Sequence, residues 1–240
     1  MPDLPPPLPP SERTLGQLIA ETIRAYGAHF WAAIPLGIPI VAADQLSAHH
    51  GGGGQALVYW ALTPLFVAAY VRACVLLHGQ GPLLVPVLLA TLVWLPFPAL
   101  RGAFIIPGLA WFAFVGLAVP AALVERLRFR DALVRGRQLG TADYVHALGG
   151  LCALVFVVGL SEAVLGAILH SQADTSQRAA LAVSDLVLGP LLFLGGALLY
   201  VDQAARVGSR RPTRRSRRHA DLHPAVDADA AGRADPQVEP

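Results

Sequence analysis

The sequence has no lysine: all 18 basic residues are arginine. Charge of either sign is scarce, at 14% of residues, against about 25% in an ordinary soluble domain. With 55% hydrophobic residues, this excludes an ordinary soluble class and favours a membrane one. There are only two cysteines, Cys74 and Cys152, each inside an apolar run. Their number and placement exclude a disulfide framework or a cysteine metal knuckle, and both read as small buried apolar residues. Missing lysine and abundant Arg, Ala, Gly and Pro suggest a GC-rich bacterial genome.

Catalytic motifs are also lacking. The run Gly51 to Gly54 has no following Lys and Ser or Thr, so it is not a phosphate loop. Nothing around Gly159 and Ser161 gives the Gly-x-Ser-x-Gly arrangement of a hydrolase. Asp44, His49 and His50 carry zinc-ligand side chains, but adjacent histidines before a glycine run lack a fixed geometry and read as a solvated loop. The expectation is a non-enzyme with no metal and no cofactor.

What the chain does have is six apolar stretches. A helical span needs about 20 residues. The stretches run over 28–47, 55–77, 82–100, 104–123, 147–169 and 179–201. The first contains Pro35 and Pro39, which predict a kink. The third holds Pro82, Pro86, Pro96 and Pro98, so a short or re-entrant helix is the alternative to a full crossing there. Ahead of them, residues 1–13 carry six prolines, lack the basic start and apolar core of a secretory signal, and read as a structureless tail. Residues 14–26 read as an amphipathic interfacial helix: Thr14 and Gln17 have capping-box spacing, and Leu15, Leu18, Ile19, Ile23 and Tyr26 share a face. The fold class is therefore all-α, a polytopic membrane bundle of about six transmembrane helices.

Arginine placement orients it. With six spans, sixteen arginines fall on one side and only Arg101 and Arg178 on the other. Retention of arginine in the cytoplasm predicts both termini inside, in a multi-pass bacterial cell membrane protein. Five of the sixteen, Arg126, Arg128, Arg130, Arg135 and Arg137, lie in the loop between spans four and five, where Phe129, Ala132, Leu133 and Gly136 form one helical face. This reads as a short helix on the inner leaflet, each basic residue contributing about 1 kcal/mol near anionic lipid. Residues 206–240 turn polar, with a basic run including Arg210, Arg211, Arg214 and Arg215 followed by an acidic end, and read as a disordered cytoplasmic tail. The expected partners are the bilayer, its anionic inner-leaflet lipids and an undefined protein; nucleic acid is not expected.

Three stretches carry a family resemblance. They are RTLGQLIAETIRAYGAHFWAAI from Arg13, VPAALVERLRFRDALVRGRQLG from Val119, and ALLYVDQAAR from Ala197. Together they resemble the membrane domain attached to some bacterial glycerophosphodiester phosphodiesterases and its stand-alone relatives. The match departs around Gly136, where that group often has Ser or Trp. The resemblance implies a six-helix membrane domain. It does not imply the hydrolase activity, which belongs to a separate soluble barrel for which these 240 residues hold no stretch.

Two ionisable residues fall inside spans, Glu162 and Asp185. An acid at a helix centre costs about 2.5–3.5 kcal/mol on insertion scales, so each is a functional hypothesis by default. The short connection between spans five and six makes those helices antiparallel neighbours, and a rise of about 1.5 Å per residue places both carboxyls at similar depth toward the outer side. Gly159 and Gly166 flank Glu162, and Ala182 and Gly189 flank Asp185, at helix-contact spacings. Two close carboxyls do not readily both ionise, which suits a proton or cation site. The bland alternative is a neutral acid bonded across helices, to Ser161 or Ser184. On sequence the chain favours an accessory or membrane-organising protein, with a small transporter or permease as the alternative.

Overall fold

The computed structural model describes residues 9–48, 50–103 and 105–209. The tail arginines Arg210, Arg211, Arg214 and Arg215, and His49 of the outer cluster, lie outside them. Every regular element among the described residues is helical. In order they are α1 (Leu15–Ala28), α2 (Phe30–Ala33), a 3₁₀ turn (Ile34–Gly37), α3 (Ile38–Ser47), α4 (Gly52–His78), α5 (Leu84–Trp94), α6 (Phe97–Ala103), α7 (Ile105–Trp111), a π-helical turn (Phe112–Gly116), α8 (Ala118–Val124), α9 (Phe129–Ala142), α10 (Tyr144–Ile168) and α11 (Asp174–Ser209). Five helical segments are long and apolar enough to cross a membrane: Phe30–Ser47, Gly52–His78, Ile105–Val124, Tyr144–Ile168 and Asp174–Ser209. The Leu84–Leu100 stretch is apolar but shorter. The protein is a multi-pass helical bundle.

Proline sets where the helices depart from regularity, and other side chains bond backbone carbonyls at or near the breaks. In the first span, Pro35 and Pro39 tighten Ile34–Gly37 into a 3₁₀ turn in which the Ile38 amide donates to the Pro35 carbonyl. The third apolar stretch, 82–100, for which a full crossing and a short or re-entrant helix are the alternatives, is broken between Trp94 and Phe97, because Pro96 has no amide to continue the ladder. The Trp60 indole donates to the Leu95 carbonyl at 2.9 Å, and the Trp111 indole to the Val93 carbonyl at 3.0 Å. In the fourth span, Pro120 cannot donate to Gly116 one turn earlier. The Tyr70 hydroxyl does so instead, at 3.1 Å, beside the π-helical turn.

The last helix is the axis of the bundle. α11 packs against α1, α3, α4, α9 and α10. It meets the first span most closely. A Cβ on Gly37 would lie 2.5 Å from the Leu186 carbonyl oxygen, and one on Gly189 would lie 3.3 Å from the Gly37 Cα. Pro190 explains part of this, since it leaves the Leu186 carbonyl without its usual amide and turned toward the neighbouring helix.

The arginine-rich end is tied by polar contacts. The Thr14–Gln17 capping box is present at the start of α1. Residues 10–13, expected as part of a structureless tail, instead hold a 3₁₀ turn over Pro10–Glu12, and Arg13 bonds Asp202 at 3.0 Å. Arg206 bonds Asp143 at 2.8 Å and the Arg13 carbonyl at 2.8 Å, so α11 continues to Ser209, past the expected start of a disordered tail at 206.

Candidate functional site

Glu162 and Asp185 come from α10 and α11, which pack side by side. Their side chains lie within hydrogen-bonding reach of each other. Asp185 is 2% exposed, whereas Glu162 is half-buried. The glycine reasoning holds for one helix and fails for the other. Gly189 packs, but against Gly37 and Ile40 of the first span and not against α10. A Cβ on Gly159 would meet nothing within 4 Å, and one on Gly166 only the end of Gln177. Gly159 and Gly166 therefore do not serve as close-approach points between α10 and a neighbouring helix. Ser161 does not reach the acids either, since its hydroxyl donates back to the Val157 carbonyl at 2.8 Å.

The space beside Glu162 is a half-open pocket of about 270 Å³. Its wall includes the carboxylates of Asp44 and Glu162 and the aromatic rings of Tyr59, Phe66, Trp94, Phe97, Phe112 and Phe193. Trp94 is the centre of this set: Phe66, Phe97, Phe112 and Phe193 all lie within 5.0–5.9 Å of it, centroid to centroid. The broken helix delivers Trp94 and Phe97 to one wall, and the π-helical turn begins at Phe112 on another. Irregular backbone at membrane depth is tolerated where it is buried in protein or lines a cavity, and both cases occur here.

Asp44 is the residue that sequence reasoning misplaces. Sequence proximity groups it with His49 and His50 in an outer loop. In the structure the Tyr59 hydroxyl donates to it at 3.1 Å, and it is near enough to Glu162 and Asp185 to act on both electrostatically. His50 instead turns its Nδ1 to the Leu46 carbonyl at 2.9 Å. Among the described residues no group of three His, Cys, Asp or Glu is placed to hold a metal ion. A signal for Asp44 is present in the sequence. Counted from the apolar stretches 28–47 and 55–77, residue 44 lies three before the end of the first and residue 59 four after the start of the second, which puts them at similar depth.

The arginine loop is less a lipid surface than expected. α9 packs Ala132, Gly136, Leu139 and Gly140 onto α8 and the π-helical turn, and a Cβ on Gly136 would lie 2.6 Å from the Ala118 amide nitrogen. Its apolar face is thus used inside the protein. Arg135 bonds Glu125 at 2.9 Å, and Arg137 sits 5.6 Å above the Phe114 ring. Arg126, Arg128 and Arg130 are exposed, with Arg126 in the left-handed region at φ 51° where the chain turns from α8 into α9.

The three stretches that carry the family resemblance meet at this end. The Tyr200 hydroxyl donates to Glu125 at 3.0 Å, Glu125 accepts from Arg135, and Asp202 accepts from Arg13. These motif residues join the bundle's first, central and last segments, and none of them lines the cavity.

No family model matches the chain, and no solved structure matches it. Over 139 residues it is 32% identical to the thiol:disulfide interchange protein DsbD 2 of Pseudomonas aeruginosa, strain PAO1. The aligned stretch is 54% of this chain and 23% of that protein, so the chain spans only about a quarter of the relative's length. The two cysteines here are free; Cys74 is fully buried in α4, and α4 and α10 share no extended interface that would bring Cys152 to it.

Proposed function

We propose that the protein is a small carrier of the bacterial cell membrane, in which Glu162 and Asp185 bind a proton or a cation at the edge of the aromatic cavity. The cavity reaching Glu162 carries this reading. An acid within a membrane segment is costly and is a functional hypothesis by default, and Glu162 borders an apolar, aromatic pocket of a size that admits a small solute. Ionised carboxylates only accept hydrogen bonds, so a bond between the two acids requires a proton on one of them. An arriving cation can replace that proton, which leaves to water, and the exchange couples the two movements. The resemblance to the phosphodiesterase-associated membrane domain fits a six-helix unit without hydrolase activity, and the exposed Arg126, Arg128 and Arg130 suit anionic lipid of the inner leaflet.

The test is flux by the purified protein in liposomes. Glu162→Gln and Asp185→Asn are each expected to lower proton-coupled cation uptake at least tenfold. Flux that is the same in both variants as in the unmutated protein removes the reading.

A second reading comes from the likeness to DsbD 2: thiol–disulfide chemistry in the membrane, through Cys74 and Cys152. A thiolate must reach its partner disulfide, and Cys74 is sealed in the core. Maleimide labelling of Cys74 in folded protein would favour this reading; labelling only after denaturation would end it.

A further inference from the structure

We infer that the cavity's substrate is a small organic cation with a flat, apolar body, and not a bare metal ion. The inference rests on the carrier reading and adds its substrate class. Three features point the same way. First, six aromatic side chains and aliphatic ones form most of the wall, and Asp44 and Glu162 are the only carboxylates among the lining residues. A hydrated inorganic ion gains nothing from such a wall, whereas an apolar ring system loses its water to it. Second, Trp94 is the hub of the aromatic set and borders the space. Aromatic faces attract a cationic group within about 6 Å, tryptophan most strongly, and more so when water is excluded. Third, the volume of about 270 Å³ falls just below the range of about 300–1,000 Å³ for drug-sized ligands. One ring or two fused rings with a quaternary or protonated nitrogen meet these limits. The ring system would lie against the aromatic cluster around Trp94 where it borders the pocket, and the nitrogen would face Glu162.

A permanently charged ligand and its neutral isostere separate charge from shape. 1-Methylquinolinium and 1-methylnaphthalene have the same outline and differ in charge. Binding of each is measured by equilibrium dialysis to the full chain in phosphatidylcholine nanodiscs, with empty nanodiscs subtracted. The cation is expected to bind saturably and at least tenfold more tightly than the neutral compound. Glu162→Gln should remove most of that preference while leaving the neutral compound's affinity within twofold, and Glu162→Asp should restore part of it. Trp94→Leu should weaken the cation more than Trp94→Phe does. Equal affinity for the two compounds marks an apolar void filled by lipid and overturns the proposal. So does an unmutated protein that shows Glu162-dependent cation flux but no saturable quinolinium binding; in that case the carrier stands and its substrate is a bare ion. Absence of both flux and binding removes the carrier reading together with this one.

Discussion

Replacing Tyr70 by Phe removes one hydroxyl and leaves the ring in its edge-on contact with Phe112, 5.0 Å between centroids. What it takes away is the donor to the Gly116 carbonyl. The residue one turn on is Pro120, so the usual amide donor to that carbonyl is missing, and Tyr70 is completely buried. Hydrogen bonds between helices in bilayers average about 0.6 kcal/mol and reach about 1.7 kcal/mol. A buried carbonyl left unsatisfied costs about 1–3 kcal/mol. The site lies where those ranges overlap, and a loss of about 1–1.5 kcal/mol follows. The explanation is specific enough to test through a second mutation. Pro120→Ala restores an amide that can donate to Gly116, so in that background the Tyr70→Phe cost should fall below about 0.5 kcal/mol. Equilibrium unfolding in mixed maltoside and dodecyl sulfate micelles, followed by tryptophan fluorescence, measures all four corners of the cycle. A Tyr70→Phe cost that is the same in the Pro120→Ala background as in the unmutated one refutes the account of how the π-helical turn is held.

Two further outcomes follow from the same packing. Gly37→Ala should cost about 1–3 kcal/mol by the same assay, since its Cβ would press on the Leu186 carbonyl at 2.5 Å and force the first and last spans apart. Gly159→Ala, with nothing within 4 Å of the new methyl, should stay within about 0.5 kcal/mol of the unmutated protein. For orientation, single cysteines placed at Arg128 and at Gln172 in a chain lacking Cys74 and Cys152 should react oppositely with a membrane-impermeant maleimide added to intact cells, the Gln172 position labelled and the Arg128 position protected. The reverse pattern overturns the arginine-based topology.

How much of this is legible in the sequence depends on the range of the physics involved. The capping box of α1 is local, because Thr14 and Gln17 are three residues apart, and spacing alone predicts it. The depth match of Glu162 and Asp185 is nearly local too, since one short loop relates them. The contact face is not. Glycine marks where backbones can approach, but not which backbone does, and Gly189 serves the first span while Gly159 serves the cavity. The arginine loop shows the same limit. An amphipathic helix on a membrane surface and one laid on its own bundle have one pattern, and only the closeness of Gly136 to Ala118 separates them.

Composition and periodicity alone determine that this chain is a helical membrane bundle, because about 20 apolar residues in a row can satisfy their backbone groups in lipid only as a helix. The count of arginines on each side predicts an orientation by an equally local rule. The cavity belongs to the other category. Its walls come from Asp44, Tyr59, Trp94, Phe112, Glu162 and Phe193, residues far apart along the chain, and a space is defined by what surrounds it in three dimensions. Only the folded packing decides that a broken third helix and a π-helical turn leave room there for something other than protein.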